Sequence, residues 1–276
     1  MRRESKLKRA IIYSLVILST LTFFFPIYFL IQTSLKSYAE IITGPPLGIR
    51  NPTLINYIDI FTEPGYEFGR YLLNSLIISL SSTLLAITVG FPAAYSIARF
   101  NTGGGNLSFY ILSLRLLPPI IFAVPLYVLY QAMGLIDTHL GLILLYTTFN
   151  LPLTVFVLMS FISEIPLELE EAALVDGASR IRTLLYVTLP LSLPGIVAIT
   201  ILNFMACWNE YLFALIFTFR RAATVTVGAS LYITAWQVKW GHIAAAICVS
   251  VFPTLVFVTL VQKYLVKGLT LGALKV

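Results

Sequence analysis

Six stretches of the chain carry no charged residue and are long enough to cross a bilayer as helices. They are Ala10–Leu35, Tyr71–Ala98, Leu116–Ile136, Thr138–Ser163, Thr183–Asn209 and Trp240–Gln262. A helix needs about 20 apolar residues to cross the hydrocarbon core. We therefore predict spans at 11–31, 72–98, 107–130, 140–161, 191–218 and 241–262. The pattern indicates an all-α polytopic membrane protein with six transmembrane helices.

These spans divide the chain into segments. A basic N-terminus at 1–10 precedes the first span at 11–31, and a polar external loop at 32–71 follows it. Residues 72–262 form a five-helix core that contains a long polar loop at 163–190, and 263–276 form a tail. The first run is too long for the apolar part of a signal peptide and lacks a small-residue cleavage site. We therefore expect it to be a retained span.

Composition supports a membrane setting and excludes several other classes. The hydrophobic share is 58%, the charged share is 11%, and mean hydropathy is +0.91. A soluble domain carries about 25% charged residues, so this chain is no ordinary cytosolic enzyme, coiled coil or disordered protein. The net charge of +6 is concentrated in the first nine positions. That placement indicates an anchor at an anionic membrane surface, with no nucleic-acid partner.

The Lys and Arg residues outside the spans predict the orientation of the chain. With the N-terminus inside, the cytoplasmic set is Arg2, Arg3, Lys6, Lys8, Arg9, Arg99, Arg180, Arg182, Lys263, Lys267 and Lys275. The outside set is smaller: Lys36, Arg50, Arg70, Arg220, Arg221 and Lys239. Because basic residues are enriched on the cytoplasmic side, we predict a plasma or inner membrane protein with both termini in the cytoplasm.

The sequence offers little for catalysis. It has no His-Glu-x-x-His or Cys-x-x-Cys pattern, and its two cysteines, Cys207 and Cys248, lie in apolar runs typical of core positions. The glycines at 103–105 precede Asn106 and not Lys, so they do not form a phosphate-binding loop. We predict no catalytic residue, metal site or cofactor in this chain, which is therefore not an enzyme. If it uses ATP, another chain must bind it.

The loop at 163–190 has the pattern of two short helices. Pro166 suits a first helical turn, Gly177 suits a C-terminal position with positive φ, and Ser179 can cap a second helix. The loop is also acidic, with Glu164, Glu168, Glu170, Glu171 and Asp176. Acid gains nothing from an anionic lipid surface, which favours a basic groove on a partner protein. The alternative is an interfacial amphipathic hairpin with a solvated acidic face.

Part of this loop resembles a known motif. Glu171-Ala172-Ala173, Asp176-Gly177-Ala178 and Leu189-Pro190 resemble the EAA loop of binding-protein-dependent ABC importer permeases. The family pattern is EAA, three residues, Gly, nine residues and Ile-x-Leu-Pro, and Val187 replaces the isoleucine here. The resemblance implies a type I ABC importer permease fold with a cytoplasmic coupling-helix loop.

The resemblance extends over most of the chain. Further matching stretches are Pro52–Tyr57, Ala93–Phe100, Arg115–Pro119, Gly134–Gly141, Trp208–Glu210 and Gly268–Lys275. The first of these looks like the Thr-Leu-x-Asn-Tyr stretch of the sugar-importer branch. The last resembles the C-terminus of the maltose-type second permease subunit, with Gly-Ala-Leu in place of Gly-Gly-Val.

Function and partners follow from the resemblance. It implies a permease subunit that forms half of the translocation pathway of an ATP-driven importer for di- or oligosaccharides. The implied partners are a second homologous permease, two ATPase subunits that bind ATP-Mg, an extracytoplasmic solute-binding protein and membrane lipid. The implied ATPase contacts are Glu171, Ala172, Ala173, Asp176, Gly177 and Pro190 in the loop. Gly268, Thr270 and Gly272 in the tail would reach between the two ATPase subunits.

Polar residues inside the predicted spans are candidates for the pathway or for intramembrane pairing. They are Arg115, Gln131, Asn203, Asn209 and Glu210. The readings left open are an Arg115–Glu210 ion pair, pairing with the partner permease, and contact with sugar.

Two other functions compete with sugar import. One is an ABC importer permease for another polar solute, such as a glycerol-phosphate ester. The other is a self-sufficient secondary transporter, which would need internal repeats and coupling-ion carboxylates at the midplane. The sequence shows no repeat and a single intramembrane acid, Glu210.

Overall fold

A computed structural model describes the backbone of residues 6–272 and the side chains of 11–263 except Ser108. Its α-helices are α1 Lys6–Ser34, α2 Tyr38–Thr43, α3 Ile55–Thr62, α4 Phe68–Phe100, α5 Leu107–Ser113, α6 Ile120–Ala132, α7 His139–Ser163, α8 Leu167–Val175, α9 Arg180–Thr183, α10 Leu189–Leu191, α11 Leu193–Trp208, α12 Leu212–Phe217, α13 Val225–Ser230 and α14 Trp240–Gly272. A 3₁₀ turn occupies Leu114–Leu116, and a π-helical segment occupies Leu184–Thr188. Gly268, Thr270 and Gly272 lie on α14, with their side chains outside the described part.

Four of the six predicted spans are single helices of sufficient length and apolarity within the described residues. They are Ile11–Ser34, Phe68–Phe100, His139–Ser163 and Trp240–Lys263. The third and fifth predicted spans are bent pairs: Phe109–Leu116 with Ile120–Ala132 at 93°, and Arg180–Leu191 with Leu193–Trp208 at 74°. The described residues therefore contain up to six candidate spans when each bent pair is counted as one, and the single unbroken helices expected at 107–130 and 191–218 are interrupted.

Prolines account for both bends. Leu117 precedes Pro118 and adopts the extended backbone that a following proline favours, with φ −72° and ψ 130°. In the fifth span, Pro194 has no N–H to donate to the carbonyl of Pro190 four residues earlier, and Ser192 between them leaves the helical region with ψ 0°. The same span is interrupted again between Trp208 and Leu212, where α12 begins.

The chain forms two compact units, each with its own internal packing. The first comprises the described parts of 1–68 and 228–252. In it, the buried Asn56 amide donates to the carbonyls of Ser34 and Lys36, both at 2.8 Å, and so ties α3 to the end of α1. Lys239 pairs with Glu63, and Nε2 of His242 lies 3.4 Å from Oδ2 of Asp59. Polar contacts therefore hold much of this unit together.

The second unit comprises the described parts of 69–227 and 253–276 and packs mainly through apolar contacts. Its core contains Phe91, Ala94, Tyr95, Val155, Leu158, Ile162 and Ile199 from α4, α7 and α11. Gly90 allows α4 and α7 to approach closely, because a Cβ atom there would lie 2.8 Å from Cγ2 of Thr154. This packing aligns the ends of α4 and α7 and so positions the loops that follow them.

Candidate functional site

The long loop forms a short helix with a sharp end. Helix α8 starts after Pro166 and ends at Val175, and Gly177 follows Asp176 with φ +86°. The amide of Ala178 then donates to the carbonyl of Ala173 at 2.9 Å. Ser179 caps α9 by accepting a hydrogen bond from the amide of Arg182 at 3.4 Å. The geometry confirms the positive φ predicted for Gly177 and the cap predicted for Ser179.

The predicted partner-contact residues of the loop lie mostly on the surface. Glu171, Ala172, Asp176, Gly177 and Pro190 are exposed, and Ala173 is partly buried. No atom lies within 4 Å of a Cβ built on Gly177, so glycine is required there by its backbone conformation and not by space. Most of the predicted contact residues are therefore accessible to a partner protein.

Glu170, directly before this exposed stretch, is buried at 4% exposure. Its Oε1 accepts hydrogen bonds from Nε of Arg99 and Oγ1 of Thr188, both at 2.9 Å. Its Oε2 accepts one from the hydroxyl of Tyr95 at 3.0 Å. Arg99 also donates from Nη2 to the carbonyl of Ile165 at 2.9 Å. One carboxylate thus joins the last turns of α4, the helix α8 and the π-helical segment.

Sequence reasoning missed this cluster. It listed Glu170 with Glu168 and Glu171 among the acids of the loop, and it counted Arg99 as a charge outside the spans. The available signal was the position of Arg99 at the end of the second span, a cation with no local acidic neighbour. A second tie supports the cluster, because the Arg180 guanidinium lies 5.0 Å from the centre of the Phe100 ring.

A different carboxylate organises the opposite end of the same unit. Asp137 has φ 56°, and its carboxylate accepts hydrogen bonds from the backbone amides of residues 219–222 at 2.9–3.2 Å. Partial burial opposes ionisation, but these four amides outweigh it and lower the pKa of Asp137 below its ordinary value. The loop that follows α12 is thereby folded around one charge.

Neighbouring side chains extend this second cluster. The Asn74 amide donates to the carbonyls of Arg221 and Ala223 at 3.0 and 2.8 Å, and its oxygen lies 2.8 Å from Nε2 of His139. The hydroxyl of Ser75 accepts a hydrogen bond from the amide of Val225 at 2.7 Å. The first turns of α4 therefore hold the loop after α12.

Two of the intramembrane candidates line one cavity of ≈ 250 Å³ in the second unit. Arg115 and Glu210 share it with Tyr146, Phe149 and Asn150, among others. No ion pair joins Arg115 to Glu210 in the described part of the chain. Instead, Glu210 accepts hydrogen bonds from the Tyr146 hydroxyl at 2.8 Å and from the amides of Phe213 and Ala214 at 2.8 and 3.0 Å.

The other candidates do not line this cavity. Asn203 is fully buried and donates to Oγ1 of Thr154 at 2.8 Å. Asn209 is exposed and donates to the carbonyl of Met205 in its own helix at 2.9 Å. Gln131 is exposed near the end of α6. Tyr146 and Asn150, which sequence reasoning did not select, line the same cavity as Arg115 and Glu210.

Comparison with known proteins identifies the family. The model of the binding-protein-dependent transport system inner membrane component matches residues 86–271. The chain belongs to this family. It is 38% identical over 276 residues to the trehalose/maltose transport system permease protein MalG of Thermococcus litoralis, covering 99% of each chain. It is 37% identical over 254 residues to the trehalose transport system permease protein SugB of Mycobacterium tuberculosis, covering 91% of this chain and 92% of that one.

Solved structures confirm the fold. A bacterial ABC transporter involved in the import of the acidic polysaccharide alginate contains a chain that superposes with a TM-score of 0.77 at 20% identity. The match covers 96% of this chain and 99% of that one. The protein is thus a multi-pass membrane permease with the type I ABC importer fold, a transport component and not a catalyst.

Proposed function

We propose that this protein is one permease subunit of an ATP-driven importer of di- or oligosaccharides. The observation that carries the proposal is the exposed face of α8, where Glu171 and Ala172 stand in solvent while Glu170 is bonded inward. Such an arrangement suits a helix that binds a partner on one side and is fixed to the membrane helices on the other. The trehalose and maltose systems of the relatives support the substrate class.

In this proposal the chain lies in the plasma or inner membrane with both termini in the cytoplasm. The loop 163–190 is then cytoplasmic, and the Asp137 cluster faces outward. The excess of Lys and Arg on the proposed inner side supports this orientation.

The working assembly contains a second homologous permease, two ATPase subunits and an external solute-binding protein. ATP-Mg binds to the ATPase subunits and not to this chain, which needs no cofactor. Glu171 pairs with a basic ATPase residue, and Ala172 and Ala173 allow the two backbones to approach. Gly268, Thr270 and Gly272 follow the last helix toward the ATPase pair. Closure of the ATPases on ATP moves the loop as a rigid body. The energy for this movement comes from the difference in the affinity of the loop for the closed and the open ATPase dimer.

We place the cavity with Arg115 and Glu210 on the solute pathway. It combines aromatic faces from Tyr146 and Phe149 with polar groups from Arg115 and Asn150, a combination that suits a hydroxylated ring. Replacing Arg115 with Met should weaken sugar uptake while ATPase binding is retained. Unchanged uptake would remove Arg115 from the pathway.

The decisive experiment is reconstitution in proteoliposomes with the partner permease, the ATPase subunits and the binding protein. We expect ATP hydrolysis and uptake stimulated by binding protein loaded with trehalose or maltose.

Glu171→Ala should release the ATPase subunits, since truncating one partner of a charged interface pair costs about 2–5 kcal/mol. Glu168→Ala is the matched control, because Glu168 is an exposed acid of the same helix. Uptake by the single chain, driven by an ion gradient, would contradict the proposal and favour a secondary transporter.

A further inference from the structure

Helix α8 presents two acids with opposite environments. Glu170 and Glu171 are neighbours, so their side chains leave the helix about 100° apart. Glu171 is exposed, whereas Glu170 is the one buried residue of α8, all of which is described. The exposed acid belongs to the proposed ATPase contact, and the buried acid requires a different role.

No apolar side chain of α8 is fully buried, and only Ala173 and Leu174 are partly buried. Leu167 and Leu169 are 49% and 45% exposed, and Val175 is 87% exposed. Ile165, which precedes the helix, is a buried apolar residue, and its carbonyl accepts a hydrogen bond from Arg99. The buried side-chain contacts of α8 are therefore those of Glu170, and they offer a direct route by which movement of α8 can reach other helices.

Those bonds lead to two membrane helices. Arg99 and Tyr95 lie in the last two turns of α4, whose body runs on through the second span. Thr188 lies in the π-helical segment that opens the fifth span. The side chains of Arg99 and Glu170 are only 9% and 5% exposed. Separating the two groups would leave a buried charge without its partner, which is energetically costly. The pair therefore resists being pulled apart when α8 moves.

We infer that the Glu170–Arg99 ion pair, with Tyr95 and Thr188, is the link that transmits movement of α8 to the second and fifth spans. The inference rests on the proposed function of α8 as the ATPase contact. Glu170 and Arg99 are positioning residues in it: they touch neither sugar nor ATPase. Loss of Glu171 should detach the ATPase subunits, whereas loss of Glu170 should leave them attached and uncouple hydrolysis from transport.

The experiment compares Glu170→Gln and Arg99→Gln, singly and together, in the reconstituted transporter. Each single variant should retain its ATPase subunits and lower sugar uptake per ATP hydrolysed by about tenfold, a typical coupling between sites. The double variant should be no worse than either single one, because the two residues act through one contact. Glu168→Gln and Arg182→Gln, exposed residues of the same loop, are matched controls that should keep the wild-type ratio.

Two results would overturn the link. One is an unchanged ratio of uptake to hydrolysis in Glu170→Gln, and the other is release of the ATPase subunits, which would make Glu170 part of the docking face. If the Glu170→Gln transporter fails to assemble, Thr188→Val tests the link instead. This substitution keeps the shape of the side chain and removes its hydrogen bond to Glu170. We expect it to lower the ratio by about twofold or more, and an unchanged ratio counts against the link.

A second measurement separates this inference from the proposed function. The substitution Val175→Cys provides a site for a spin label, and Cys207→Ser and Cys248→Ala remove the two native cysteines. The label then reports the mobility of α8 in liposomes that contain no partner subunit. Glu170→Gln should increase that mobility, and Glu168→Gln should not. If wild-type protein shows no ATP-driven uptake, the proposed function fails. In that case unchanged mobility in Glu170→Gln still overturns the link, and increased mobility supports it.

Discussion

The two ends of the second unit each centre on one carboxylate, and the two are bonded in different ways. Within the described residues, the carboxylate of Asp137 accepts its hydrogen bonds from backbone amides of one short loop at 219–222. Glu170 accepts them from side chains of two other elements: Tyr95 and Arg99 on α4, and Thr188 in the π-helical segment. Helix α4 contributes a side chain to each site, Asn74 near the Asp137 loop and Arg99 at Glu170. These two residues lie roughly 37 Å apart along the helix axis.

The two carboxylates therefore have different roles: Asp137 shapes one loop, whereas Glu170 joins separate elements. Amides 219–222 follow one another along the chain, so their bonds to Asp137 determine local backbone shape. Asp137 itself tolerates φ 56°, because short polar side chains enter the left-handed region at small cost. The bonds of Glu170 hold separate helices at fixed distances, and a displacement of any one of them strains the whole network.

The largest effect is expected when Glu170 is replaced with an apolar residue. Glu170→Leu leaves the buried guanidinium of Arg99 without its acid and should lower the free energy of unfolding by about 3–5 kcal/mol. Denaturant unfolding in detergent measures the loss. The double variant Glu170→Leu/Arg99→Leu should recover much of it, and a double variant no more stable than the single one would contradict the ion-pair account.

The next effect concerns the turn that ends α8. Gly177→Val places a β-branched residue at φ +86°, a conformation that costs about 1–2 kcal/mol for residues with a Cβ. We expect loss of transport with normal membrane insertion, measured by uptake and by the amount of protein in the membrane. Gly104→Val is a matched control, since Gly104 has φ +76° and open space outside the loop 163–190. Equal loss of transport in both variants would show a general folding defect.

A smaller effect tests the Asp137 site. Asp137→Asn turns an amide group toward the donors of the loop and should cost about 1–3 kcal/mol, confined to that loop. Hydrogen exchange at amides 219–222 should accelerate, while exchange in α8 should not change. Asp176→Asn, which alters an exposed carboxylate, is the control. Faster exchange throughout the unit would mean that Asp137, like Glu170, joins separate elements.

The smallest effect is the pH dependence of the same loop. The pKa of Asp137 is lowered on folding, so its stabilisation is present above the unfolded pKa and is lost as pH falls through the lowered folded value. Protection of amides 219–222 should thus persist near neutrality and decline below about pH 4. Asp137→Asn serves as the reference at each pH and should show no such decline. A decline already complete at pH 6 would contradict the lowered pKa.

Much of the fold follows from signals within a few residues of each element. The uncharged runs predict the spans because a helix in lipid must satisfy its own backbone groups. Gly177 and Ser179 were predicted correctly for a similar reason, since a positive φ and a helix cap involve only neighbouring atoms. The prolines at 118, 119, 190 and 194 mark the two bent spans, although runs of apolar residues alone predicted continuous helices there.

The choice of partner for each charged side chain was decided only by the tertiary structure. Glu170 and Glu171 are chemically identical neighbours, and their difference arises because packing of α4 against α7 brings Arg99 to one face of α8. Glu210 and Arg115 form no ion pair, because the break before α12 offers Glu210 the free amides of Phe213 and Ala214, three and four residues later. Local backbone rules act along the chain, whereas charge pairing acts across space, and only the packed helices determine which charges meet.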